Sequence, residues 1–437
     1  MSCLGPMLSS AIRCRCRALQ LATGQSSTLA STCTATTSTK MFNLQQTCDQ
    51  LRPVHMLTRH FSSESAVQMG KKCLLERLAE GPVIGDGSYV FTLEKRGYVK
   101  GGPWTPEATI ENPEGVKQLH REFMRAGADV LQAFTFYSTD DKLHLAGNLE
   151  GESVTCHDQN EAACKIVQEV AAEGDDVLIC GGCSPTPSYM EGKGKEVVQQ
   201  EFKKQVEVFA HRKEVDFLLC EFMGHVEECE WAIETMKAAG KPVACTMRVG
   251  PKGDQNGVPT GECAVRMAKA GADVVGINCL YDVNTSLKTI KIMKTALDEA
   301  GLSPYLMIQP LGYHCPEVED MLEGYFHLPE APFAMEPRLL TRFDVQKFAR
   351  AAYELGVRYL GGCCGFEPYH IRALAEELAP ERGRLPKASA KHEPWGGALK
   401  GSMFEFMRKR AGREHWENLK PALGRPDHPV LQNRLDE

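Results

Sequence analysis

Residues 270–279 read Ala-Gly-Ala-Asp-Val-Val-Gly-Ile-Asn-Cys. A glycine of the kind that stops a helix is followed by an apolar run of strand length, which ends on polar and thiol side chains. The opening phrase, Ala-Gly-Ala-Asp-Val, also occurs at 126–130, again where a helical stretch hands over to a strand. Working outward from these two, six more runs of the same kind appear. The eight strand candidates are Val83–Gly85, Asp129–Phe134, Asp176–Cys180, Val215–Cys220, Pro242–Met247, Asp273–Asn278, Leu306–Gln309 and Arg358–Gly361. Near-continuous apolar runs suit parallel strands buried on both faces. Helical segments lie between them, among them Val116–Ala126, Glu161–Ala172, Glu196–Ala210, Glu227–Ala239 and Val345–Leu355, with apolar residues three and four apart. Strands and helices alternating eight times over about 300 residues predict an α/β fold, a (β/α)8 TIM barrel. A doubly wound sheet is the runner-up, but no Gly-x-Gly-x-x-Gly follows the first strand.

The rest of the 437 residues flanks this rhythm. With 43 % hydrophobic and 24 % charged residues the chain has ample material for a core. It contains no apolar run long enough for a membrane span. A net charge of −7 without a long basic stretch argues against nucleic acid as a partner. Its 18 cysteines are sparse for a disulfide scaffold, and several fall inside apolar strand runs, so a reducing compartment is expected. Up to His60 there is one acidic residue, Asp49, against Arg13, Arg15, Arg17, Lys40, Arg52 and Arg59. Arg-rich, Ser-rich and acid-poor composition predicts a mitochondrial transit segment over 1–61 and a matrix location. The alternative is a tail without an address on a cytoplasmic protein. The barrel is then assigned to 62–380. Residues 381–437 read as a linker marked by Pro386, Pro394, Gly396 and Gly397, then one helix from about Met403 to Leu419. Its stripe of Phe404, Met407, Ala411, His415 and Trp416 needs a partner surface, which predicts a homo-oligomer.

Chemistry in such a barrel sits at the C-terminal ends of strands. There the sequence places Gly276-Ile-Asn-Cys279 after the sixth strand and Gly361-Gly-Cys-Cys-Gly365 after the eighth. Three thiols from two strand ends could converge on one tetrahedral Zn2+ and leave its fourth position for substrate, the pattern of a catalytic site. Buried core cysteines, or a vicinal disulfide between Cys363 and Cys364, are the alternatives.

Gly361-Gly-Cys-Cys-Gly-Phe-Glu-Pro-Tyr-His-Ile-Arg-Ala373 and Asp86-Gly87 resemble the zinc-dependent homocysteine S-methyltransferase family. Leu93-Glu-Lys-Arg-Gly-Tyr-Val-Lys100, Gly102-Pro-Trp-Thr-Pro-Glu-Ala108, Phe134-Thr-Phe-Tyr137 and Ala375-Glu-Glu-Leu-Ala-Pro-Glu-Arg382 narrow the likeness to its betaine-using branch. The similarity runs from about Leu74 to Pro426. It implies a zinc-containing (β/α)8 barrel whose metal ligands are Cys279, Cys363 and Cys364. It also implies methyl transfer from glycine betaine to the thiol of homocysteine, giving methionine and dimethylglycine. Glu221 and Asp86 would be the site carboxylates, Glu221 pairing with the homocysteine amino group. Gly87 would border the same substrate, and Trp104 and Tyr137 would wall the donor's quaternary ammonium. A sulfonium donor such as S-methylmethionine or dimethylsulfoniopropionate is the competing expectation, and a zinc-binding scaffold without turnover is a third. The chain departs from the family pattern at Ser88, Tyr89, Phe222, Leu280 and Tyr281, where the relatives carry Gly, Phe, Tyr, His and Phe. The resemblance implies a homo-oligomer, dimer or tetramer, and the C-terminal arm, shorter than in the vertebrate proteins, makes a dimer the simpler expectation.

Overall fold

In the computed structural model, which describes residues 71–146 and 154–418, each of the eight apolar runs becomes a strand. These are β1 (Val83–Ile84), β2 (Val130–Gln132), β3 (Leu178–Cys183), β4 (Phe217–Met223), β5 (Val243–Met247), β6 (Val274–Asn278), β7 (Tyr305–Gln309) and β8 (Tyr359–Leu360). All pairings are parallel, in the order β1-β8-β7-β6-β5-β4-β3-β2. β3 and β4 run three residues further toward the mouth than the apolar runs suggest, carrying Glu221 and Phe222 with them. The expected 1–61 segment lies outside the described residues.

The repeated phrase has a physical cause. Gly127 (φ 110°) and Gly271 (φ 106°) take the left-handed backbone just past helices Pro113–Ala126 and Thr260–Lys269, where a side chain would be strained. Two residues later, the carboxylates of Asp129 and Asp273 accept the N–H groups of Ile84 and Val243, each at 2.8 Å. Each aspartate thus ties the foot of its own strand to the strand beside it. Between β1 and β2 this tie closes the barrel. No ladder joins those two strands, yet Asp129 N–H donates to Ile84 O at 2.7 Å, and Gln132 N–H donates to the Asp86 carboxylate at 2.8 Å.

Three apolar layers follow. Helix Leu74–Glu80 presents Leu74 and Leu78 to an inner cluster with Val83, Leu178, Phe217, Met307 and Tyr359. The main core lies between strands and outer helices, where Phe123, Phe202, Phe209 and Phe348 are buried. Burying each contributes about 1.5–3 kcal/mol. A third cluster sits at the mouth, where Phe91, Leu280, Tyr281, Tyr313 and Tyr325 surround Cys279. Among the described residues, no helix is long and apolar enough to cross a membrane.

The C-terminal expectation needs correction. Residues 403–418 form two short helices, Glu405–Arg408 and Arg413–Glu417, and not one. Gly412, at φ 129°, breaks the run, and its N–H is taken by Trp395 O at 3.1 Å. The stripe therefore does not exist as a face. Trp416 stacks on Phe343 of the chain's own barrel, with ring centroids 4.6 Å apart, while Phe404 remains 60 % exposed. The supposed linker is also packed down: Trp395 is buried, and its indole N–H reaches Glu377 at 3.2 Å.

Candidate active site

The C-terminal ends of the strands surround one cavity of about 230 Å³. Its lining includes all eight singled-out residues: Asp86, Gly87, Trp104, Tyr137, Glu221, Cys279, Cys363 and Cys364. The backbone around it is strained. Trp104, Tyr137, Phe222, Cys279 and Leu280 all adopt φ between 57° and 63°, a region that side chains normally avoid. Five such residues at one mouth mark the place where the fold gives up local stability to aim side chains. Phe222 is held by its N–H on Asn278 Oδ1 at 2.9 Å, and Tyr137 by its N–H on Ser184 Oγ at 3.0 Å.

The three thiols meet. Cys279 Sγ lies 3.6 Å from Cys364 Sγ, and Cys363 Sγ lies 4.0 Å from Cys364 Sγ, with all three inside 4.8 Å. All are free thiols, so the vicinal disulfide is not the arrangement found. Burial opposes ionisation of Cys279, but hydrogen bonds from Cys363 and Cys364 outweigh it and hold that thiol well below its usual range. The same contacts push Cys363 and Cys364 up. The trio thus favours one thiolate even without a cation. A tetrahedral site with bonds of ~2.3 Å sets its sulfurs about 3.8 Å apart, so spacing and donor softness both fit a zinc-type ion.

Opposite the thiols stand two carboxyls. Asp86 is raised to about 7 by burial, against the pull of Gln132 N–H and the Tyr89 hydroxyl at 3.1 Å. Burial also raises Glu221 to about 7; the Gln132 side-chain amide, 2.5 Å away, opposes this, while the Asp86 and Cys279 charges add to it. Gln132 therefore bridges both acids, by its backbone to one and by its side chain to the other. Sequence reasoning missed it, because a lone amide closing an apolar strand does not show which neighbouring strand ends it will meet. Gln309 and Asn278 close β7 and β6 in the same manner, and Gln309 Oε1 and Asn278 Nδ2 lack protein partners. Tyr89 OH also lies 2.6 Å from His120 Nδ1, a buried contact that a phenylalanine at this position could not make. Gly87 is explained by packing: a Cβ there would meet Phe366 O at 2.5 Å and the Phe123 ring at 2.9 Å.

The third wall is aromatic. Trp104 rests on Phe91 and Phe333 at centroid distances of 5.1 and 5.6 Å. Tyr137 meets Phe136 at 4.1 Å and Phe222 edge-on at 6.5 Å, and Lys142 Nζ lies 5.0 Å from its ring centroid. Trp104 and Tyr137 both line the same space. The cavity thus combines a thiol cluster, a pair of acids and a wall of aromatic rings.

Residues 83–378 match the model of the family described as homocysteine S-methyltransferase. The chain belongs to that family. Among curated proteins this family member is 57 % identical, over 367 residues, to betaine–homocysteine S-methyltransferase 1 of Mus musculus, covering 84 % of this chain and 89 % of the relative. It is 54 % identical to S-methylmethionine–homocysteine S-methyltransferase of Pongo abelii, covering 83 % of this chain and 96 % of that one. Among solved structures, the metallated homocysteine methyltransferase MmuM of Escherichia coli has the same fold, with a TM-score of 0.51 at 19 % identity over 67 % of this chain and 95 % of that one. The homocysteine S-methyltransferase described here is therefore a methyltransferase on a TIM barrel.

Proposed function

We propose that this enzyme transfers a methyl group from glycine betaine to the thiol of L-homocysteine, giving L-methionine and dimethylglycine, with Zn2+ on Cys279, Cys363 and Cys364. The observation that carries the reading is the single cavity holding three convergent thiols, two acids and a wall of rings. Zinc at these thiols would supply the Lewis acidity that keeps the acceptor sulfur a thiolate at neutral pH, far below its ordinary pKa of ~8.5. Everything else falls to the chain's own side chains. Glu221 and Asp86 take the acceptor's ammonium. Trp104 and Tyr137 offer ring faces to a quaternary ammonium, which has no N–H to donate to a hydrogen bond, at about 0.5–2 kcal/mol per contact. Held in line, the sulfur forms a bond to the methyl carbon as the carbon–nitrogen bond breaks, and the electron pair stays on the departing amine. The positive charge on nitrogen and the negative charge on sulfur cancel in the products, so burial of the reacting pair favours transfer.

The relative named for S-methylmethionine supports a second reading, a sulfonium donor in the same pocket. A scaffold without turnover fits poorly with two acids held near neutrality beside three thiols. We further propose a matrix location, on the composition of residues 1–61, and a homo-oligomer. The test of the main reading is methyl-labelled betaine supplied with homocysteine to the zinc-loaded protein. Label is expected in methionine, with dimethylglycine formed in equal amount; label that stays in betaine while S-methylmethionine supports turnover would select the second reading.

A further inference from the structure

Among the residues lining the cavity, two carry acids on their side chains, Asp86 and Glu221, and one carries a permanent cation, Arg248. It follows β5 directly, and its backbone N–H donates to Met223 O at 2.9 Å, which fixes it beside the end of β4. The guanidinium carbon lies 5.1 Å from the centroid of the Phe222 ring. Nη1 donates to Glu323 at 3.0 Å, and Gln255 braces that same glutamate at 2.5 Å. Gly224 makes room for the group: a Cβ there would lie 3.0 Å from Nη2 and 3.2 Å from Nε. Among the described residues, none accepts a hydrogen bond from Nε or Nη2, although the side chain is only 17 % exposed. A guanidinium held this way has one edge committed and another unfilled, the fork that matches a carboxylate.

We infer that Arg248 anchors the carboxylate of the methyl donor, so that the cavity selects donors with a cation at one end and a carboxylate at the other. The inference rests on reading the aromatic wall as the donor pocket. Arg248 belongs to that half of the cavity. Its charge bears on the Tyr137 hydroxyl, lowering a pKa that burial raises to about 12, and it is not among the principal influences on Asp86 or Glu221. The same charge works against a donor lacking the carboxylate. A simple quaternary ammonium would meet a guanidinium beside the rings and be repelled, which is selection by a repulsive element.

The test uses the zinc-loaded full chain and its Arg248→Met, Arg248→Lys and Glu323→Gln variants, each checked for folding by its melting curve. Betaine and homocysteine requirements are measured together with inhibition by choline, which keeps the trimethylammonium group and lacks the carboxylate. Arg248→Met is expected to raise the betaine KM about tenfold or more, leave that of homocysteine nearly unchanged, and make choline a tighter inhibitor. Arg248→Lys should fall between, and Glu323→Gln should leave the donor requirement close to wild type. Equal losses for both substrates, unchanged choline inhibition, or a Glu323→Gln variant that copies Arg248→Met would overturn the inference in favour of a loop-holding ion pair. Should the wild type use S-methylmethionine and not betaine, the donor reading fails by itself. The same comparison with S-methylmethionine and its carboxyl-free analogue then decides Arg248 separately.

Discussion

Cys363 is the residue on which most depends. It shares a strand end with Cys364 and faces Cys279 across the mouth, so Cys363→Ala leaves two thiols that cannot fill a three-sulfur site. The variant is expected to lose bound metal and activity together while its melting curve stays cooperative. Full methyl transfer by a metal-free variant would contradict this. Glu221 yields a prediction with a sign. Burial raises its pKa to about 7 from an ordinary value near 4.5, so the ionised form costs folding stability at pH values above both. That cost is fully present above about pH 7 and vanishes as pH falls below the unfolded value. Glu221→Gln should therefore melt higher than wild type at pH 8, approach it as pH falls below about 4, and bind homocysteine poorly at every pH. A variant less stable at pH 8 would show that the carboxylate is held by partners, not penalised by burial. Phe222 gives a third expectation. It carries no oxygen, so Phe222→Tyr should slow zinc loss to a chelator in the absence of homocysteine, and homocysteine should close the gap. Identical substrate-free rates would mean that position 222 has no part in holding the metal.

At the level of strands and loops, the aromatic wall proposed to hold the donor is built after β1 and β2, where Trp104 and Tyr137 adopt positive φ. Because only the cation loses a face, Trp104→Ala should raise the betaine requirement far more than that of homocysteine. Equal effects on both would reduce Trp104 to rim packing against Phe91 and Phe333. The strands were legible from sequence because parallel buried strands leave continuous apolar runs, bounded here by Gly and Asp whose roles the hydrogen bonds now explain. The three thiols were legible because glycines flank them at strand ends. Gln132 and Arg248 were not: a lone amide or arginine at a strand end gains meaning only when a barrel curves other strand ends toward it. The C-terminal helix was misread because a stripe counted across Gly412 ignores the glycine's freedom to turn the chain, and Phe343, 73 residues upstream, claims Trp416.

For the molecule as a whole, the expectation of a homo-oligomer has lost its helical stripe but keeps exposed Met403, Phe404 and Phe406 on one short stretch. Light scattering at micromolar concentration is expected to give a dimer or larger, and a monomer would contradict it. The acid-poor 1–61 segment is expected to direct import and be removed, so an intact N-terminus on a cytosolic protein would count against the matrix location. On the proposed reading, a metal on Cys279, Cys363 and Cys364 is what makes this barrel a betaine-dependent methyltransferase. It is tested most directly by stripping the protein of metal, titrating zinc back, and following methionine formed from betaine and homocysteine. Activity is expected to be absent at the start, to rise in proportion to zinc, and to level off at one zinc per chain. Methionine formation by the stripped protein, or a rise unrelated to that stoichiometry, would contradict the account.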